Sequence, residues 1–246
     1  VYPLASARSK TDEVFRAKAQ DITFRLQKHE AGYYTLWQDV CAISIADIKK
    51  DYAALNVEFD LWNGESTCDQ YVDPMIDSFI ERGFAYESEG ALIMDVAEET
   101  DEKPMPPIIL RKSNGAQIYA STDLATIRER METIDPDEIW YVVDARQGLH
   151  FEQVFRCAKK TGMVKDDTVM IHVPFGTVNG TDGKPFKTRE GGTMKLKDLI
   201  SMISEAAGKQ LSQGALEQDP DAPRKVGCAA LKYGDLVCNR NKNYIF

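Results

Sequence analysis

From Ile108 onward the chain alternates short β-branched runs with amphipathic stretches, and this alternation constrains its fold more than any other feature. The pattern predicts strands over 108–111, 117–120, 138–143 and 168–173, with helices over 122–133 and 149–161. Strands separated by helical crossovers favour a parallel sheet with helices on its faces. In open sheets of that kind, ligands bind beyond the carboxyl ends of the strands. The segments 119–123, 144–150 and 174–189 should therefore line one rim.

The first hundred residues read differently. Val14, Phe15, Ala19, Ile22 and Leu26 fall at helical spacing over 10–26, and Trp37, Val40, Cys41, Ile45 and Ile48 repeat the spacing over 34–55. Residues 57–63 alternate as a strand ending in Asn63-Gly64, and 69–82 read as a helix closed by Gly83. A hairpin is expected over 84–87 and 91–95, around Ser88-Glu-Gly90. The acidic run 98–102, followed by three prolines ending at Pro107, reads as an exposed loop and marks the clearest break in composition. Helices are expected again near 197–209 and 223–239, with a Gln/Gly/Asp/Pro-rich link between them.

With 246 residues and 43% hydrophobic content, the chain can bury a sizeable core. A net charge of -9 argues against a general electrostatic footprint for nucleic acid, so any such contact must be local. No run of eighteen apolar residues occurs, and the first ten residues lack the apolar stretch of a secretory signal, so a cytoplasmic protein without a membrane partner is expected. Five cysteines, widely spaced and never in a C-x-x-C pair, read as reduced and mostly buried thiols. Asn179-Gly180-Thr181 matches a glycosylation acceptor but reads as a turn.

Within the acidic chain, Thr181-Asp-Gly-Lys-Pro-Phe-Lys-Thr-Arg-Glu-Gly-Gly192 places Lys184, Lys187 and Arg189 in six residues between glycine-rich turns. Such a loop suits a polyanion such as a triphosphate, although a solvated basic turn explains the same cluster when it is viewed alone. Tyr119 and Asp123 stand four residues apart, a phenol and a carboxylate suited to a guanidinium; the alternative is that Asp123 offsets a helix dipole and Tyr119 packs. Ser121 or Thr122 would cap the helix there. Gln147 and His150 fall at the same rim, where they would orient a polar ligand and bond a nucleotide, or cap a helix and serve the structure. His172, inside an apolar strand, reads as structural, and His29, His150 and His172 form no metal pattern. A P-loop is excluded because Val178 stands where its first glycine belongs and Pro185 follows Lys184. The dinucleotide fingerprint G-x-G-x-x-G and a serine nucleophile elbow are absent too.

Four segments in this order resemble the class I aminoacyl-tRNA synthetases, specifically arginyl-tRNA synthetase of the bacterial type. They are Tyr119-x-x-x-Asp123, Arg146-Gln-x-x-His150, Val173-Pro-Phe-Gly176 leading into Gly183-Lys-Pro-Phe-Lys-Thr-Arg-x-Gly-Gly192, and Val226-Gly-x-x-Ala-x-Lys-Tyr-x-Asp-Leu236 with Asn239-Arg240 and Tyr244-Ile-Phe246. The Phe59-Asp-Leu-Trp-Asn-Gly-Glu-Ser66 segment extends the likeness to most of the chain. The resemblance implies the second half of a Rossmann-like parallel-sheet catalytic domain, preceded by a mainly helical α+β insertion. On that basis 1–107 would be the connecting insertion, 108–212 the half-domain with a KMSKS-like loop, and 213–246 a helical junction toward an anticodon-binding domain.

It further implies that Tyr119, Asp123 and Gln147 bind arginine, and that His150, Phe175, Gly176, Lys184, Lys187 and Arg189 bind ATP. Lys184 and Lys187 would be the catalytic lysines, although Pro185 and Phe186 replace the usual Met-Ser of that loop. ATP with Mg2+ would be the substrate complex, with no protein-bound metal; L-arginine and tRNA(Arg) would be the other partners, and the protein a monomer. No His-x-Gly-His tetrapeptide occurs, so the resemblance also implies a fragment that would be inactive alone. Two other readings stay open: a non-catalytic binding or regulatory domain of synthetase descent, and an unrelated nucleotidyltransferase.

Overall fold

The protein is described by a computed structural model over residues 2–112, 118–179 and 195–245. Contacts gather into two compact units, one comprising Val1–Asp60, Val178–Asn239 and Asn243–Phe246, the other Leu61–Thr177 and Arg240–Lys242. The first opens with helices α1 (Tyr2–Thr11), α2 (Glu13–Gln27) and α3 (Ala31–Ala54). The second holds α4 (Asp69–Glu81), β1 (Tyr86–Ser88), β2 (Ala91–Met94), β3 (Ile108–Arg111), α5 (Tyr119–Thr133), β4 (Glu138–Asp144), α6 (Gly148–Lys160) and β5 (Val169–Phe175). The chain then returns to the first unit as β6 (Val178–Asn179), α7 (Leu196–Gln210), α8 (Gln213–Gln218), α9 (Ala222–Val237) and β7 (Tyr244–Ile245).

In the second unit, helical spacing decides what is buried. Val72, Met75, Ile76 and Phe79 form one buried stripe of α4, and Phe151, Val154, Cys157 and Ala158 form that of α6. These stripes join Met94, Ile108, Leu110, Leu124, Ile127, Ile139 and Tyr141 in one apolar core that runs from Cys68 to Val164. Each large side chain so buried contributes on the order of 1.5–3 kcal/mol. The core therefore unites 61–107 with the residues that follow, a partition of the chain different from the sequence segments 1–107, 108–212 and 213–246.

The parallel sheet expected from the alternation is present as β4 and β5, in register from Glu138↔Val169 to Asp144↔Phe175. Two expected strands differ. β3 joins β2 and β1 in an antiparallel sheet, and of the strand expected over 117–120 the described residues 118–120 form none, because α5 already begins at Tyr119. The strand expected over 57–63 is irregular backbone as well: among the described residues its alternation pairs with no strand, and Phe59 instead packs edge-on against Tyr52 at 4.9 Å. The single helix read over 10–26 is two, broken at Asp12, whose carboxylate accepts from the Phe15 amide at 2.8 Å and caps α2. The polar link before α9 contains α8, and Asn179, read as a turn, lies buried in β6. Cys68, Cys157 and Cys228 are buried free thiols, as the sequence implied, whereas Cys238 is exposed. Burial pushes the Cys157 thiol up to about 12.

In the first unit, α7 and α9 pack closely. A Cβ on Gly227 would stand 3.0 Å from both the Cα and the backbone nitrogen of Ser204, so a side chain there requires the Ser204 backbone to shift. Gly234, in the same helix, has nothing within 4 Å of an added Cβ. We expect Gly227→Ala to destabilise the protein by roughly 1–2 kcal/mol, overpacking outweighing the helix propensity gained. Gly234→Ala should be stabilising by up to about 1 kcal/mol. Paired denaturant titrations of the two variants check the contrast.

Candidate active site

The start of α5 is set by packing rather than by a side-chain cap. Ile118, its N-cap residue, is extended and makes no capping bond. Ser121, fully buried, donates its hydroxyl to the Leu110 carbonyl of β3, and Thr122 donates to the Ile118 carbonyl at 3.3 Å. The capping role expected of Ser121 or Thr122 is thus replaced by a tether from Ser121 that pins the first turn to β3 and by a bond from Thr122 within the turn itself. Tyr119 is the first helical residue and 73% exposed, and Asp123 follows one turn later on the same face.

The other half of the site rises from the carboxyl end of β4. Asp144 accepts from the Arg146 amide at 2.8 Å and pairs with its guanidinium at 2.6 Å, which holds the Asp144 carboxyl down at about 2. That local ring folds Ala145–Gln147 into a short 3-10 turn and delivers Gln147, exposed, to the mouth of α6. His150 lies in the first turn of α6, where its Nε2 stands 2.6 Å from Asp123 Oδ2. Both side chains are a little over a quarter exposed. Phe175 ends β5 opposite Asp144, and the Gly176 amide donates to the Arg240 carbonyl at 2.6 Å.

Asp123 and His150, 27 residues apart in sequence, are therefore in contact, with Tyr119 one turn before the first and Gln147 one turn before the second. Phe175 and Gly176 sit at the carboxyl end of the neighbouring strand. Lys184, Lys187 and Arg189 lie outside the described residues. His172, in β5, stacks on Phe151 with centroids 5.6 Å apart, and its buried Nε2 has no hydrogen-bond partner among the described residues. Among those residues no three His, Cys, Asp or Glu side chains converge as a metal-ligand set, and no helix is long and apolar enough to cross a membrane.

Two supports escaped sequence reasoning. The main-chain bond from Gly176 to Arg240 is one; Arg240 stood in a familiar motif but carried no signal for this contact. The other holds α6 itself. Arg156 donates to both oxygens of Asp101 at 2.7 Å, to Glu152 at 2.6 Å and to the Val96 carbonyl at 3.2 Å. The acidic loop expected to be merely exposed thus contributes one carboxylate, only 14% exposed, as a clamp on the helix that carries His150.

Residues 1–246 match the family described as tRNA synthetases class I (R), catalytic domain. The chain is 51% identical, over its full length, to the arginine–tRNA ligase of Alkaliphilus oremlandii and 46% identical to that of Agathobacter rectalis, covering 42% and 43% of those proteins. It spans about two fifths of the length of these curated relatives. Among solved structures, the arginyl-tRNA synthetase of Plasmodium falciparum superposes with a TM-score of 0.78 at 26% identity, over 95% of this chain and 39% of that one. That of Thermus thermophilus shares the fold at a TM-score of 0.73 and 19% identity, over 98% of this chain and 46% of that one.

The Arg156 clamp has a pH signature. Its guanidinium holds the Asp101 carboxyl at about 2, below the ordinary 3.8. A depressed carboxyl contributes stability that is fully present above its unfolded value and is lost as pH falls through the folded one. The stability difference between the wild type and Asp101→Asn should therefore be largest above pH 4 and vanish as pH approaches 2. Denaturation midpoints of both proteins across that interval check it.

Proposed function

The chain belongs to the class I (R) tRNA synthetase catalytic-domain family, and from that membership we propose that it forms part of an arginine–tRNA ligase. The protein would join arginine to ATP, giving arginyl-adenylate and pyrophosphate, and then transfer the arginyl group to the terminal adenosine of tRNA(Arg). The observation that carries this reading is the contact of Asp123 with His150 beyond the carboxyl end of β4, which joins two separately recognised motifs in one place.

In this reading the Asp123 carboxylate and the Tyr119 phenol receive the guanidinium of arginine, and Gln147 orients it. His150, Phe175 and Gly176 face the nucleotide. Lys184, Lys187 and Arg189 meet the triphosphate, which arrives with Mg2+, while the arginine carboxylate attacks the α-phosphorus and pyrophosphate departs. No protein nucleophile is needed, so catalysis consists of positioning and charge stabilisation. As functional segments we retain 1–107 as the connecting insertion, 108–212 as the half-domain with the loop, and 213–246 as the junction that follows. Free, largely buried thiols and substrates of this kind suit a cytoplasmic monomer.

The test is arginine-dependent ATP–pyrophosphate exchange in the full-length protein that carries these residues. Asp123→Asn should raise the KM for arginine by roughly a hundredfold, since a guanidinium bound without its counter-charge loses on the order of 3 kcal/mol, and should change the KM for ATP far less. An arginine KM unaltered by that substitution would remove Asp123 from the pocket.

A further inference from the structure

We propose that His150 is a positioning residue for arginine recognition, holding the Asp123 carboxylate in the orientation that receives the guanidinium; the inference rests on the ligase reading above. A carboxylate has two oxygens and, on a helix, rotates about its terminal bonds. Here Oδ2 is engaged by His150 Nε2 at 2.6 Å. The imidazole is itself a firm support. Phe151, the next residue, is 3% exposed, and Arg156, further along the same helix, is bonded to Asp101 and the Val96 carbonyl. Asp123 is held from behind by α5, whose first turn is tethered to Leu110 through Ser121.

With Oδ2 held by His150, Oδ1 and the second lone pair of Oδ2 are left for a ligand. His150 is the one hydrogen-bonding partner of the Asp123 carboxylate among the described residues, and the exposed Tyr119 stands on the same face of α5. The guanidinium is therefore met by a carboxylate of fixed orientation, with the Tyr119 hydroxyl on the same helix face. Losing His150 lets Asp123 turn away from the arginine, so the loss falls on arginine binding as well as on anything His150 does for the nucleotide.

The experiment measures KM for arginine and for ATP, and kcat, by pyrophosphate exchange in the full-length protein. The variants are His150→Ala, His150→Gln, Asp123→Asn and the double variant His150→Ala with Asp123→Asn. Removing a hydrogen bond to a charged group should raise the arginine KM of His150→Ala about tenfold. His150→Gln, which keeps a donor near the position of Nε2, should recover most of that loss. In the Asp123→Asn background, His150→Ala should add less than about twofold, because the group it positions is gone. If alanine fails to fold at this half-buried site, His150→Met, close in volume and without a donor, takes its place. An arginine KM left within about twofold of wild type by His150→Ala, with only the ATP KM raised, overturns the proposal and leaves the ligase reading standing. So does an effect on arginine equally large with and without Asp123. Absence of arginine-dependent exchange in the wild type would instead overturn the ligase reading, and this inference with it.

Discussion

The burial of Phe151 is the interaction on which the rest of the second unit depends. Its ring lies 4.7 Å from that of Tyr141 in β4, 5.8 Å from Phe155 in its own helix and 5.6 Å from His172 in β5, so one side chain locks α6 against both parallel strands. Burying it contributes on the order of 1.5–3 kcal/mol, and each aromatic pair about 0.5–1.5 kcal/mol more. An exposed ion pair such as Asp144–Arg146 contributes at most about 1 kcal/mol. The core, not the charges at the rim, therefore sets the rotation of α6. With Phe151 directed inward, the preceding residue is turned by about 100° around the helix, and His150 emerges sideways, where α5 offers Asp123.

How much of this could be read from sequence depended on whether a signal was local. The apolar stripes of α4 and α6 repeat at helical spacing, so both helices were legible nearly to their ends. The strand expected over 117–120 was not, because Ile118-Tyr-Ala has ordinary strand character. What starts the helix there is a bond from Ser121 to Leu110, a partner on another element. The alternation over 57–63 was genuine, but a strand needs an edge to join, and among the described residues it pairs with none. Charge density over 98–102 announced solvent, and for most of those residues this holds. Asp101 differs because its partner Arg156 is 55 residues away. In the site, Gln147 and His150 were legible as rim residues from the polarity of β4, whereas Tyr119 and Asp123 were correctly paired by helical spacing but placed at the rim from a strand that does not form. Their meeting was not legible, since it depends on where two helix starts fall relative to each other.

Under the ligase reading proposed above, electrostatics gives a reason for arginine and ATP to need different walls. Arg146, the cation at the mouth of α6, is bound to Asp144, whose carboxyl at about 2 stays ionised at neutral pH, so the pair is neutral. What remains nearby is Asp123, a carboxylate hydrogen-bonded to an imidazole, and a phenol. Such a rim attracts a cation and repels a triphosphate, and in a chain of net charge -9 no diffuse positive field offsets it, because screening confines the effect of any charge to about 8–10 Å. A polyanion bound beside this rim must bring its own counter-ion and meet cations from another segment. Lys184, Lys187 and Arg189 place three such cations within six residues. Charge of one sign fixed on the rim and of the other concentrated in a single loop would keep arginine and triphosphate from exchanging places, so that the arginine carboxylate meets the α-phosphate and its guanidinium does not.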